Sequence, residues 1–155
     1  MSASPGSAAR AWWQAGALCA VVVVLDQVAK AVVEAELVPG EQVGLPGPAG
    51  LTLAHNEGVA FGLAGGGEAP LIAFAVVALA FVGVLLARNA ERRWMWAAVG
   101  LVAGGAIGNL ADRIRAGAVT DYVEIGSWPP FNLADVAITL GVVLFAVIFL
   151  REGEG

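Results

Sequence analysis

Residues 109–135 of the chain read NLADRIRAGAVTDYVEIGSWPPFNLAD, and this stretch decides how the rest of the sequence is interpreted. It places ionisable and carboxamide side chains within and between two hydrophobic segments, namely Asn109, Asp112, Arg113, Asp121, Asn132 and Asp135. A polar group at the edge of lipid costs several kcal/mol unless it is paired, so such a dense cluster indicates a functional site. We interpret this stretch as a candidate active site.

The rest of the chain is far more apolar than a soluble domain. Of its 155 residues, 59% are hydrophobic and 14% are charged, and the mean hydropathy is +0.80. This composition and length predict a small integral membrane protein that forms one membrane domain, residues 1–155. The net charge is −5 and no basic run of the kind that grips phosphate backbones occurs, so nucleic-acid binding is not expected.

Four apolar stretches have the length that a membrane span requires, since about twenty apolar residues cross a hydrocarbon core of roughly 30 Å. The sequence therefore predicts an all-α fold with transmembrane helices over residues 11–33, 70–87, 94–114 and 132–150. The first ten residues, rich in Ser, Ala and Gly, are expected to form a disordered tail. The turn from Asp26 to Lys30 does not resemble a signal-peptide cleavage site, so we expect the first helix to be retained.

Two loops are expected outside the membrane, residues 34–69 and 115–131. Residues 51–55 and 119–125 alternate in hydrophobicity between turn residues, which favours short strands. Residues 128–131 favour a turn. We expect the two loops to form a small β element at the outer face, with a mobile flap hinged at Gly65–Gly67.

Glycines at every fourth position of the third span predict close packing. Gly100, Gly104 and Gly108 have the spacing that lets helix backbones approach closely in lipid.

The basic residues predict the orientation. With four spans, both chain termini and the connection between the second and third spans lie on the same side of the membrane. Five basic residues are found there: Arg10, Arg88, Arg92, Arg93 and Arg151. The positive-inside rule then places both termini in the cytoplasm and both loops outside. Asp26, Asp112, Arg113 and Asp135 all fall at the outer level, whereas a proton or ion pathway would distribute polar groups from one face to the other.

Most parts of the cluster also have a purely structural explanation. Asn132 and Asp135 have the form of a helix N-cap with an acid at the third position, and capping alone would account for them. Asp26 and Lys30 form an i,i+4 pair that could simply neutralise charge. Asn109 lies close in sequence to Asp112 and Arg113, so these three could satisfy a helix end.

Asp121 is harder to explain in this way. In the alternation of residues 119–125 it shares a face with Val119, Val123 and Ile125, whereas Thr120, Tyr122 and Glu124 take the other. An acid in the apolar phase of a strand is an anomaly, and it favours a chemical role.

The residue types restrict the chemistry. Serine is confined to positions 2, 4, 7 and 127, which leaves almost no candidate nucleophile. A lone His55 and a lone Cys19 give no metal-binding spacing, and we expect no metal and no cofactor. Asp121 and Asp135 remain, and two carboxyls that share a proton can activate a water and protonate a leaving amine. A small transporter and a non-catalytic scaffold are the alternatives.

Five short motifs in order resemble the bacterial lipoprotein signal peptidase (signal peptidase II) family. They are Asp26-x-x-x-Lys30, Asn56-x-Gly58-x-Ala60-Phe61, Gly108-Asn109-x-x-Asp112-Arg113, Asp121-Tyr122 and Phe131-Asn132-x-Ala134-Asp135. Tyr122 stands where the family often has phenylalanine, and His55 and Val59 have no clear counterpart.

The resemblance implies a membrane aspartyl endopeptidase that cleaves a prolipoprotein just before a cysteine carrying diacylglycerol. It implies that Asp121 and Asp135 are the catalytic pair, and that Asp112 is a structural partner. It implies that seven residues shape the site or bind substrate: Asp26, Lys30, Asn56, Gly58, Asn109, Arg113 and Asn132. We accordingly expect a monomer in the bacterial cytoplasmic (inner) membrane, in contact with membrane lipid and active near the outer face.

Overall fold

The computed structural model describes residues 5–58 and 69–152. This part of the chain forms the helices α1 (Pro5–Glu36), α2 (Ala69–Asn89), α3 (Met95–Ala116) and α4 (Leu133–Glu152), and the strands β1 (Gln42–Gly44), β2 (Ala49–Asn56), β3 (Val119–Ile125) and β4 (Trp128–Phe131). All four helices are long and apolar enough to cross a membrane. The predicted fold class, a four-helix membrane protein with a small β element, is confirmed.

The helix ends lie close to the predicted ones, except at the start of the chain. Both ends of α2, α3 and α4 fall within two residues of the predicted bounds. The prediction of a disordered tail over residues 1–10 is wrong from Pro5 onward, because α1 begins there. Proline is favoured in the first turn of a helix, and the following Ala and Arg residues are strong helix formers.

Glycine contacts hold α1 and α4 close to α3. A methyl group added at Gly104 would lie 2.6 Å from Val22 Cβ of α1, and one added at Gly105 would overlap the carbonyl of Ala134 in α4. Gly108 faces α1 as well, and an added methyl group there would lie 2.6 Å from the Asp26 carboxylate. The predicted close packing along α3 is present, and it brings the ends of three helices together.

The strands form one antiparallel sheet in the order β1-β2-β3-β4. The strands predicted within residues 51–55 and 119–125 are observed as β2 and β3, in a register that places Ala54 opposite Asp121. The turn predicted at residues 128–131 is wrong, because these residues form the edge strand β4. Gly126, with φ +56°, takes the turn instead, and an edge strand tolerates Pro129 and Pro130.

The bundle has two distinct ends. At the sheet end, where α1 and α3 finish and α4 begins, Val33, Leu53 and Tyr122 form a small apolar core between α1 and the sheet. At the turn end, around the α2–α3 turn, Leu86 and Met95 belong to the larger core. The predicted flap hinge at Gly65–Gly67 lies outside the described residues.

Candidate active site

Asp121 lies on β3 at the sheet end, and its side chain is held by two carboxamides. Only 3% of the residue is exposed. The Asn56 amide donates to Asp121 Oδ2 at 3.0 Å, and the Asn132 amide donates to Oδ1 at 2.7 Å. The β2–β3 register brings Asn56 close, since Asn56 pairs with Val119 and Ala54 pairs with Asp121. Both carboxylate oxygens therefore have fixed donors.

Both faces of β3 are covered in its first half, including the face on which Asp121 is predicted to lie with Val119. Val119, Thr120, Asp121 and Tyr122 are all buried, at 2%, 4%, 3% and 8% exposure. Successive side chains of a strand point to opposite faces of the sheet, so four buried residues in a row mean that both faces are covered by other parts of the protein. The environment of Asp121 is consequently defined by its amide partners rather than by an apolar face.

Burial is the largest influence on the titration of Asp121, and it raises the pKa of this carboxyl from 3.8 to about 6. The hydrogen bond from Asn56 lowers the pKa, the negative charge of Asp135 raises it, and the hydrogen bond from Asn132 lowers it again. A carboxyl with a pKa of about 6 can exchange a proton near neutral pH, as general acid–base chemistry requires.

Asp135 occupies the first turn of α4 in a reciprocal cap. The Asp135 amide nitrogen donates to Asn132 Oδ1 at 3.0 Å, and the Asn132 amide nitrogen donates to Asp135 Oδ2 at 3.2 Å. This is a capping box, so the structural explanation of this pair is correct. The other oxygen, Oδ1, accepts a hydrogen bond of 2.8 Å from the Asn109 carboxamide. The cap thus holds Asp135 in position without occupying its whole carboxylate.

Asn132 connects the two aspartates. It is fully buried, and its Nδ2 also contacts Asn109 Oδ1 at 3.1 Å and the Thr120 carbonyl at 3.3 Å. One residue therefore donates from its side chain to Asp121 and from its backbone to Asp135. The structure brings both predicted catalytic residues into one hydrogen-bond network.

Lys30 is the cation at the centre of this network. Its ammonium lies 2.8 Å from Asp26, 2.6 Å from Asp112 and 3.0 Å from Asn109 Oδ1. Lys30 is 3% exposed and Asp26 is fully buried. The predicted i,i+4 ion pair between Asp26 and Lys30 is present, and Lys30 also binds Asp112 and Asn109. By binding Asn109, Lys30 fixes the residue that donates to Asp135.

Asp26 links α1 to α4. Its Oδ1 accepts a hydrogen bond of 3.0 Å from the backbone of Ala134, in the first turn of α4. This bond satisfies one of the amide groups that a helix start leaves without an internal partner. Asp26 thereby helps to place the helix that carries Asp135.

Gly58 and Arg113 lie at the edge of the network. Gly58 has φ +72° and donates its backbone amide to Asn56 Oδ1 at 2.9 Å, which fixes the orientation of the Asn56 carboxamide. A side chain at Gly58 would be strained and would overlap Leu71. Arg113 donates to the Asn109 carbonyl at 3.5 Å, at the end of α3.

Gln27 also belongs to the network, although the sequence motifs do not predict it as a site residue. Its amide donates to Asp112 at 2.9 Å and to the Gly108 carbonyl at 3.3 Å, while its oxygen accepts from Arg115 at 2.6 Å. Gln27 therefore orients the aspartate that binds Lys30, consistent with a structural role for Asp112. A carboxamide inside an apolar span is itself a signal, and it could have identified this residue.

Comparison with known proteins identifies the family to which the chain is similar. The family model for signal peptidase (SPase) II matches residues 18–151. A lipoprotein signal peptidase of Pelotomaculum thermopropionicum is 40% identical over 139 residues, covering 88% of this chain and 91% of the relative. A lipoprotein signal peptidase of Cupriavidus necator is 42% identical over 148 residues, covering 90% of this chain and 83% of the relative.

Solved structures show the same fold. Two structures described as bacterial membrane enzymes superpose with TM-scores of 0.82 and 0.81, each at 27% sequence identity. They cover 90% and 88% of this chain, and the matches include 88% and 92% of their own lengths. Helices and sheet are therefore shared over nearly the whole chain.

Proposed function

The chain belongs to the signal peptidase II family, and from this premise we propose that it is a multi-pass membrane aspartyl endopeptidase that removes signal peptides from prolipoproteins. One observation carries the chemistry: Asn132 donates to both Asp121 and Asp135 within a buried network. Two carboxyls held in such proximity can share the proton that peptide hydrolysis needs to move.

The substrate we propose is a prolipoprotein whose cysteine carries diacylglycerol, cut just before that cysteine. Such a substrate has its signal helix and its acyl chains in the bilayer, so its scissile bond lies near the membrane surface. The aspartates lie where three apolar helices meet the sheet, which is consistent with this requirement. Contact between acyl chains and helices would supply binding energy of roughly 0.8 kcal/mol per buried methylene.

The two aspartates have different proposed roles. Asp135, at the start of α4 where the helix dipole favours an anion, is the ionised member and takes a proton from water as the water attacks the scissile carbonyl carbon. Asp121, whose raised pKa favours the acid, donates its proton to the carbonyl oxygen. The tetrahedral intermediate then collapses: one of its hydroxyl groups returns a proton to Asp121 as the carbonyl re-forms, the C–N bond breaks, and the proton on Asp135 passes to the leaving amine. Because coupled acids titrate as a unit, the pair rather than either member holds the proton before substrate binds.

The remaining site residues act on this pair. Asn56 and Asn132 orient the Asp121 carboxylate, and Gly58 orients Asn56. Lys30 with Asp26 holds Asn109, which binds Asp135. Arg113 supports the α3 backbone at Asn109. These residues are proposed to shape the site, and Asn109, which is half-buried, is also proposed to contact substrate.

We propose that the protein is a monomer in the bacterial cytoplasmic (inner) membrane, with both termini in the cytoplasm. The support is the distribution of charge. Arg88, Arg92 and Arg93 lie at the turn end, whereas the aspartates of the network lie at the sheet end. The positive-inside rule then places the sheet and the active site near the outer face.

The test uses purified protein, a diacylglyceryl-modified prolipoprotein, and mass measurement of the products. The wild type should release the signal peptide directly before the lipidated cysteine. Asp121→Asn and Asp135→Asn should each stop cleavage while the protein still folds, because asparagine keeps the shape but cannot exchange the proton. Glu124→Gln is the matched control, since it removes a carboxylate three positions along β3 that bonds Gln42 instead.

Two results would contradict the proposal. Substantial turnover by either asparagine variant would exclude the aspartyl pair. Equal cleavage of a precursor whose lipidated cysteine is replaced by serine would indicate a signal peptidase that does not require the lipid.

A further inference from the structure

We propose that a cleft at the turn end of the bundle binds the phosphate group of an anionic glycerophospholipid. The cleft has a volume of about 270 Å³, and its lining includes Ala8, Ala87, Arg88, Glu91 and Arg92. It lies where the start of α1 passes the α2–α3 turn. Asn109, which binds Asp135, lies fourteen residues after the first residue of α3, so about 21 Å of helix separate the turn end from the aspartates. The site is therefore distinct from the proposed active site.

The charge of the cleft suits an anion. Arg88 and Arg92 line it, Arg93 follows, and Glu91 is the single acid of the sequence from residue 88 to residue 94. This local excess of positive charge contrasts with the net charge of −5 of the whole chain. A guanidinium presents a planar fork of donors that matches phosphate oxygens, so two arginines at one cleft form a suitable phosphate-binding pair.

Arg92 of the cleft lining and the neighbouring Arg93 each pack against an aromatic ring. The Arg92 guanidinium lies 4.7 Å from the centre of the Phe149 ring, and that of Arg93 lies 5.3 Å from the centre of the Trp94 ring. Beneath the turn, Leu86 and Met95 are fully buried. Side chains already fixed by packing lose less conformational entropy when a ligand binds, so this geometry favours binding.

The surroundings indicate that the phosphate comes from a lipid. Trp12 and Trp94 are each 47% exposed at this end of the bundle, and exposed tryptophans are typical of the headgroup level of a membrane. Ala8 and Ala87 add apolar surface to the cleft lining that also holds its arginines. A glycerophospholipid offers the matching arrangement, an anionic phosphate above an apolar glycerol ester region.

The experiment measures thermal unfolding of the purified full chain in detergent during titration with a short-chain phosphatidylglycerol. The melting temperature should rise and saturate, because a ligand that binds only the folded state stabilises it. Arg88 is exposed, so Arg88→Gln should leave folding intact and raise the half-saturating lipid concentration by about tenfold. Arg151→Gln is the matched control, because it removes the same charge from the same end outside the cleft lining. It should leave the titration unchanged.

Three further outcomes would overturn the proposal. An equal loss in Arg151→Gln would show diffuse electrostatic attraction instead of a site. Equal stabilisation by phosphatidylcholine of the same chain length would remove the requirement for net negative charge. Equal stabilisation by inorganic phosphate alone would show an anion site with no preference for lipid.

Discussion

Asn132 makes one contact with the helix that it caps and one contact with a strand, and it uses a different side-chain atom for each. Its Oδ1 caps α4, whereas its Nδ2 binds Asp121. Asn132 can therefore cap α4 and belong to the candidate site at the same time, because the two contacts use different atoms. A residue that is fixed by the helix start cannot rotate away from Asp121, so the cap provides the preorganisation that catalysis requires.

Asn56 should control the pH dependence of cleavage. If Asp121 is the general acid, kcat/KM falls as the pH rises through its pKa of about 6, since the ionised carboxyl has no proton to donate. The Asn56 hydrogen bond stabilises the anion and lowers this pKa. Asn56→Ala should raise the pKa and move the alkaline limb of the profile to higher pH. Gln42→Ala, which changes a carboxamide elsewhere in the sheet, should not move it. A shift of the acid limb to higher pH, with the alkaline limb unchanged, would instead make Asp121 the general base.

Lys30 should contribute to stability as well as to activity. Lys30→Met leaves Asp26 and Asp112 without their shared cation, and an uncompensated buried charge destabilises a protein by about 3–5 kcal/mol. We expect a lower melting temperature together with loss of cleavage. Lost cleavage at an unchanged melting temperature would instead assign Lys30 a direct role in catalysis or substrate binding.

At the scale of elements, α3 determines the distances between helices. Its glycines face α1 at Gly104 and Gly108, and α4 at Gly105. The polar network depends on these approaches, because Asp26 of α1 bonds Ala134 of α4 beside Gly108. Packing in lipid is governed by such close backbone contact rather than by a hydrophobic driving force.

Gly105→Ala should disturb this packing. The added methyl group would overlap the Ala134 carbonyl and lie 2.7 Å from Ile138, so α4 must move together with Asp135. Overpacking of this kind destabilises by roughly 1–3 kcal/mol, and cleavage should fall with it. Gly16→Ala on α1 is the matched control, because nothing lies within 4 Å of the added methyl group. Equal activity of the two variants would show that the α3–α4 distance does not control the site.

At the scale of the whole molecule, the turn end carries an excess of arginines and the sheet end an excess of carboxylates. The arginines of the α2–α3 turn lie at one end and the aspartate network at the other. The proposed orientation in the membrane and the proposed depth of the site are consequently linked, since both rest on the positive-inside rule.

Reporter fusions test this orientation. Fusions after Arg151 and within residues 88–93 should report the cytoplasm, and fusions within residues 44–50 should report the outside. An outside location for the C-terminus would contradict both the proposed topology and the proposed depth of the active site.

The sequence alone predicted the four spans, the strands β2 and β3, and the candidate residues. Spans and strands are encoded locally, as apolar length and as alternation bounded by turn residues. Asp121 and Asp135 stood out because an acid near lipid requires a reason, and the resemblance to a family assigned them a role. Residue-level patterns could not predict β4, since two prolines indicate a turn as readily as an edge strand.

Tertiary structure decided which groups meet. Gln27 lies 85 positions from Asp112 and Asn56 lies 65 positions from Asp121. Whether a carboxamide in a helix or at a strand end reaches a distant carboxylate depends on helix separation and strand register, and neither is encoded in a short segment. The raised pKa of Asp121 likewise arises from burial that only the assembled sheet and helices provide. The sequence thus predicts which residues carry the chemistry, and helix packing around the α3 glycines together with the β2–β3 register determines their contacts.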